Sequence, residues 1–442
     1  MRRLPYWMVI LFLAASCGPK GGPSNQTRTD GSVRQPRVSI VPEMTFTLCS
    51  EGLPIAGMWK CDPVLADLNG DGNLDLAAHP RLGQGPRVWM GNGKGKWTEA
   101  SAGLQFESAS CGGGLAVADF NKDGFPDLAI GDHCQGNYVF LGDGGSRWRA
   151  VTKAMNPSDL GTGESYAGSE DLDVGDFNGD GFIDLVTGAQ DDGGINVYLG
   201  DGSGSNWKRQ TDTILPTAGW ANRVKVCDLN GDSKLDIVAS YGEGPRAWLG
   251  DGKGTWTLAF RGLPTPMVQG LFNGLDAGDI NNDGRLDIAA ANWIDGPEVF
   301  IQETDGDWRG TGDVFPEMHG GAYGLKLADL DGDGNLDLIA SGRLTEQVGY
   351  VYGLFVLKGD GKGGWRYLKG TGLPETGLST AWGITTGDVN GDGVLDIVYA
   401  TGGIVASDPI QTEPVMPVRL QVWCGQLAGS NKAALAHAHA GN

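Results

Sequence analysis

Short apolar stretches recur along this chain between polar turns, and helical spacing is nearly absent. Val224-Lys225-Val226-Cys227 and Leu325-Lys326-Leu327-Ala328 alternate with a period of two, as half-buried strands do. After an acidic turn comes a second stretch that is apolar almost throughout: Leu76-Ala77-Ala78, Leu185-Val186-Thr187, Ile237-Val238-Ala239, Ile288-Ala289-Ala290. A third is apolar and aromatic, as in Arg87-Val88-Trp89-Met90 and Asn196-Val197-Tyr198-Leu199. A Gly-rich hairpin follows, Gly91-Asn92-Gly93-Lys94-Gly95 in one unit and Gly250-Asp251-Gly252-Lys253-Gly254 in another. The fourth stretch opens with Trp97, Trp148, Trp207, Trp256, Trp308 or Trp365, and several units close on Gly-Leu-Pro or a similar turn. Four short strands per unit, repeated about seven times, predict an all-β fold: a seven-bladed β-propeller of four-stranded blades.

The two ends of the pattern complement each other. The last unit reaches a third strand at Val418-Arg419-Leu420-Gln421-Val422-Trp423 and has no fourth. Ahead of the first unit stands an orphan fourth strand, Thr45-Phe46-Thr47-Leu48, followed by Gly52-Leu53-Pro54, with Phe46 in the Trp place. The N-terminal strand should therefore complete the last blade and close the ring. That gives one domain over residues 42–425 with no strand edge left open.

The acidic turn between first and second strands reads Asp-x-Asn/Asp-x-Asp-Gly-x-x-Asp seven times, its starts 50 to 59 residues apart. Positions one, three, five and nine are the candidate metal ligands. They are Asp67, Asn69, Asp71 and Asp75 in the first copy, then Asp119, Asn121, Asp123 and Asp127, then Asp176, Asn178, Asp180 and Asp184. The next are Asp228, Asn230, Asp232 and Asp236, then Asp279, Asn281, Asp283 and Asp287. The last two are Asp329, Asp331, Asp333 and Asp337, and Asp388, Asn390, Asp392 and Asp396. Oxygen donors at this spacing suit a hard cation, so up to seven Ca²⁺ are expected. Position six is Gly, which permits the sharp bend, except for Ser233. Position seven shares no side-chain chemistry and would ligate through its carbonyl. Position nine is Asp in every copy and can close the cage. An EF-hand needs a bidentate Glu at position twelve. Here Ala78, Ile130, Thr187, Ala239, Ala290, Ala340 and Tyr399 stand there, so the EF-hand reading fails in every copy, and a dockerin-type loop fails likewise.

Net charge supports a metal. Without one, two carboxylates 4 Å apart repel by roughly 4 kcal/mol at an effective dielectric of about 20. The chain carries −21, and 22 of its carboxylates are loop positions. Its acidity is thus mostly candidate ligand, and the lack of a basic patch argues against nucleic acid.

Met1-Arg2-Arg3, an apolar run from Leu4 to Ala15, then Ser16-Cys17-Gly18 read as a signal peptide over residues 1–17 ending at a lipobox-like Cys. Lipidation at Cys17 would anchor the protein extracytoplasmically to a bacterial envelope membrane without spanning it. Ordinary cleavage and secretion is the alternative. Residues 18–41, rich in Gly, Pro, Ser, Thr and Arg, read as a flexible tether, and residues 426–442 as a disordered tail. Cys111 and Cys134 flank one acidic hairpin and are the leading disulfide candidate; Cys49, Cys61 and Cys424 leave a second pairing open. Cys227 stands where other units have Ala or Gly and reads as a small buried free thiol.

These loops and Gly-Leu-Pro/Trp units resemble FG-GAP or VCBS repeats, the family of the integrin α-subunit head propeller. The resemblance covers nearly everything after the tether. It implies metal loops on the bottom face, with a structural role: calcium staples the blade hairpins.

The opposite face is built by the connections between second and third strands and between blades, which vary in length and composition. Trp59, Tyr166, Trp220, Phe272, Tyr323 and Trp382 precede the first strands, and His79, His133, Tyr241 and Trp293 follow the second. Such aromatics around the channel mouth suit sugar or peptide recognition, whereas packing between blades is the plainer role. For catalysis there is no G-x-S-x-G or H-E-x-x-H motif. Asp191, Asp192, Glu243, Asp295, Glu298 and Glu346 lie in or near top-face loops without a positioned base. The expected function is a calcium-stabilised binding or adhesion-type propeller, acting as a monomer on a glycan or protein at the cell surface. A polysaccharide lyase or glycosidase on the same propeller, and a structural envelope protein, are the alternatives.

Overall fold

Seven four-stranded antiparallel sheets make up the molecule, each with its strands in sequential order except the last. The computed structural model describes residues 43–428, apart from residues 107, 152–154, 156–167, 190–192, 242–243, 265–271, 319–320, 346–351, 379–380 and 402–418. The signal, tether and lipidation readings, Cys17 included, lie outside the described residues, as do Tyr166, Asp191, Asp192, Glu243, Glu346 and the side chain of Trp382. The tail reading does so from residue 429 onward.

The first blade runs Val64–Ala66, Asp75–Ala78, Arg87–Gly91 and Trp97–Glu99, from the channel outward. Its second strand is covered on both faces, and Leu76, Ala77 and Ala78 are fully buried. That is why this strand is apolar without alternation, and why alanine recurs in it: small side chains let neighbouring blades approach closely. In blade seven, Met44–Leu48 pairs antiparallel with Leu420–Leu427, Phe46 facing Gly425. The N-terminal strand thus closes the ring, and the partner strand runs two residues past the expected end of the domain.

The Gly-Leu-Pro turns have a physical reason that the repeat pattern alone does not disclose. Each ties a blade to the outer strand of the next. Trp97 N–H donates to Glu51 O, Trp148 N–H to Ala102 O, Trp308 N–H to Arg261 O and Phe46 N–H to Thr371 O, at 2.7–2.9 Å. The residue after each of these acceptors is Gly. At Gly262, with φ +95°, a Cβ would lie 1.9 Å from Trp308 O, so any side chain would push the two blades apart. The following Leu53, Leu104, Leu263 and Leu373 are buried between blades. Phe46 occupies the Trp place in backbone bonding as well as in burial.

Among the described residues there are two disulfides, Cys49–Cys424 and Cys111–Cys134. Cys61 is free and buried, and Cys227 is free and half-buried. The first disulfide joins residues 375 apart, across the seam where the ring closes, and the second joins residues 23 apart. On the chain-entropy account, replacing Cys49 and Cys424 by Ser should cost about 6 kcal/mol, and replacing Cys111 and Cys134 about 3 kcal/mol. Denaturant midpoints of the two double variants check the order; equal shifts would contradict the dependence on loop length.

Candidate metal loops and the channel mouth

Each acidic loop is wound around its own carboxylates. In the first, Asp67 Oδ1 accepts from Gly70 N–H at 2.7 Å and Asp71 N–H at 3.1 Å, and Oδ2 accepts from Gly72 N–H at 2.9 Å. Asn69 Oδ1 accepts from Asp71 N–H, and Asp71 Oδ1 from Asn73 N–H, both at 2.8 Å. The bond from position six to position one recurs in all seven loops at 2.8–2.9 Å. Backbone amides therefore hold the oxygens at positions one, three and five close together. In the sixth loop the carboxylate oxygens of Asp329, Asp331 and Asp333 lie within 4.8 Å of one another.

Position nine does more than the sequence suggested. Asp75 is fully buried, and its two oxygens accept from Leu68 N–H at 2.9 Å and Gly91 N–H at 2.8 Å. The same pair of bonds braces the loop start against the third strand at Asp127, Asp184, Asp236, Asp287, Asp337 and Asp396. Each of these carboxylates is a backbone brace first. Burial pushes the Asp75 carboxyl up to about 6, and the Asp71 and Asp67 charges push it the same way. An oxygen-only donor set with this much mutual repulsion fits a hard divalent cation, which would lie against positions one, three and five.

Two positions per loop, four and six, turn to positive φ. Position six is Gly with φ of 83–88° except Ser233 at 62°, and position four is Gly except Lys122 and Asn282, both at 58°. The position-four demand was readable as Gly70, Gly179, Gly231, Gly332 and Gly391 and was missed.

The innermost strands of all seven blades enclose a central cavity of about 290 Å³. Its wall is charged. Asp173 Oδ2 accepts from Val226 N–H at 2.8 Å and Asp276 Oδ2 from Leu327 N–H at 2.9 Å, so carboxylates of one blade cap amides of the next. Burial opposes the Asp276 charge, but Lys326 at 2.9 Å and Lys225 at 3.6 Å outweigh it and hold its pKa below the usual range. The alternating Lys225 and Lys326 signalled this lining; the carboxylate caps carry no such motif. At one end of the inner strands, Glu170 lies 2.5 Å from both Lys60 and His133. Burial would raise the Glu170 carboxyl, yet His133 and Lys60 hold it down at about 2.

The aromatic candidates divide. Trp59 is buried and packs edge-on against Trp89 at 5.4 Å, and its backbone N–H donates to Thr401 O. Phe272 is buried as well, inside a strand that pairs it with Asn292. Both are core residues, which corrects the expectation that they present a ring to a ligand: each is drawn in by a backbone pairing that composition does not reveal. Trp293 and Tyr323 are half-buried and meet edge-on at 4.9 Å. Trp220 is half-buried, and its indole N–H has no hydrogen-bond partner among the described residues. His79 is fully buried, 2.8 Å from Asp132, which also accepts the amides of Cys111, Cys134 and Gln135. That carboxylate organises the disulfide-bearing loop. Of the acidic top-face residues that are described, Asp295 is exposed and Glu298 touches Asn292 at 2.5 Å.

A Cβ at position six meets nothing within 4 Å in Gly72, so the cost of Ser233 is its backbone alone. Ser233→Gly should stabilise the protein by about 0.5–1 kcal/mol, the left-handed penalty less the added chain entropy of glycine. A lower urea midpoint than the parent's would contradict the strain at this position.

The comparisons with known proteins follow this geometry. A family model for the FG-GAP-like repeat matches residues 67–130, 119–187, 176–239, 228–290 and 279–340, together more than half of the chain. Human integrin alpha-7 is 38% identical over 98 residues, covering 20% of this chain and 8% of the integrin. Human integrin alpha-6 is 36% identical over 145 residues, covering 30% and 12%. The matches thus span about a tenth of those relatives. Among solved structures, BBS1N from its complex with ARL6DN superposes over 88% of this chain and 99% of that chain, with a TM-score of 0.55 at 10% identity, a likeness of fold alone. The chain belongs to the FG-GAP-like repeat family.

Proposed function

We propose that this integrin-like propeller is a calcium-stabilised, extracytoplasmic binding module that engages a protein or glycan at the cell surface through the face opposite its acidic loops. The observation that carries this reading is the apolar surface on that face. Leu82 and Ile294, in connections between second and third strands, are 67% and 51% exposed, and Ile55 and Ile214, in connections between blades, are 81% and 58% exposed. Trp293 and Tyr323 lie beside Ile294 and at the entry to an inner strand. Exposed aliphatic side chains on a rigid scaffold favour a protein partner; the half-buried Trp220 and Trp293 keep a glycan in view. His79 and His133 are each held by a buried carboxylate, which gives the lyase or glycosidase alternative no mobile base at these two positions. Cys17 is the proposed point of lipid attachment to the envelope membrane.

Calcium would be held in these loops by the side chains at positions one, three and five, with the position-seven carbonyl and the position-nine brace behind them. It supplies charge neutralisation, not chemistry. At free calcium a hundred times the dissociation constant, each loop that binds only in the folded state adds about 2.7 kcal/mol. Thermal melts in calcium and in chelator measure this, and coincident curves would remove the metal from the account.

Native affinity electrophoresis through gels containing polysaccharides separates the binding readings. Retardation abolished by Trp220→Ala or Trp293→Ala, with the melt unchanged, marks a glycan site. Clearing of the gel polymer marks an enzyme instead. Unretarded migration, together with pull-down of a surface protein that is lost in Leu82→Asp and Ile294→Asp, marks a protein partner.

A further inference from the structure

The seven loops are not equivalent, and the sixth departs at two places that touch. Position three is Asn in six loops and Asp only at Asp331. The bond from the third strand to the position-nine brace fixes the structural equivalents on that strand. Its donors are Gly91, Gly142, Gly200, Gly250, Gln302, Gly359 and Gly425. The residues just before them are Met90, Leu141, Leu199, Leu249, Ile301, Lys358 and Cys424, so five are apolar, one is a disulfide half-cystine and one is a cation. In the first blade this position lies over position three of the loop, Asn69 Nδ2 being 3.5 Å from Met90 Sδ. In the sixth blade the same geometry sets the Lys358 ammonium on Asp331 Oδ2 and, at 2.9 Å, on Asp333 Oδ2. The Lys358 side chain is 19% exposed.

From this we infer that Lys358 is a tethered counter-cation of the sixth loop, occupying the place that a divalent ion would take in the loops lacking such a lysine. The inference rests on the calcium reading above. Its ammonium donates to the oxygens at positions three and five, which are the oxygens a bound ion would need. A divalent cation entering there must displace the lysine or accept a like charge within a few ångströms. Asp331 supplies the additional carboxylate that anchors the ammonium. Lys234 and Arg285 also approach loop carboxylates, but each reaches only the position-five Asp of its own loop, from its rim. The sixth loop therefore keeps its shape without metal, and the ring carries one blade whose hairpin is stapled by the protein itself.

Bound calcium per full chain, measured by equilibrium dialysis and elemental analysis, tests this. Lys358→Met copies the arrangement of the first blade. It should bind one calcium more than the parent, and Lys358→Met with Asp331→Asn should do the same. In chelator, Lys358→Met should melt below the parent and recover when calcium is added. Equal stoichiometries on calcium-loaded parent and variant chains would overturn the inference while leaving the calcium reading intact. No calcium on any of the three chains would overturn both.

Discussion

Everything in this molecule depends on a buried aspartate that appears once per blade. Its carboxylate takes one amide from the start of the acidic loop and one from the third strand, and so welds loop and sheet into a single unit. Charged hydrogen bonds of this kind are stronger than neutral ones, and a carboxylate without them could not be tolerated at full burial. The same burial places an acid beside the carboxylates at positions one and five; that burial raises its pKa, and their charges push it the same way. The residue that braces the sheet therefore also lies against the carboxylates proposed to hold a cation.

The blade count, the order of strands, the seam at the ring closure and the role of Phe46 were legible because they follow from periodicity. A strand period of two and a unit repeat of about fifty residues survive any local detail. Contacts between repeats were less legible. The glycine after Glu51, Ala102, Arg261 and Thr371 reads as an ordinary turn residue until the carbonyl of the next blade's Trp, or of Phe46, is found against it. The carboxylate caps of Asp173 and Asp276 on amides of adjacent blades carry no motif in the sequence. Trp59 and Phe272 show the same limit: an aromatic at the entry to an inner strand has the same sequence neighbourhood whether it faces water or the core.

The two faces of the ring are built on different principles. One repeats a single backbone device seven times and tolerates few substitutions, since positions four and six require positive φ. The other is assembled from connections that vary in length and composition, and the exposed aliphatic residues Leu82 and Ile294 stand on it. A scaffold that confines its regularity to one side leaves the other free to vary without loss of blade packing.

The seam in blade seven also sets an order of events during synthesis. Residues 44–48 leave the ribosome first among the strands, yet their partner, Leu420–Leu427, emerges last. Six blades can assemble as they are made, each against its predecessor, while the first strand waits unpaired beside a growing arc. The ring is a lock whose bolt is made before its socket, and until residue 427 is free the arc remains open at both ends.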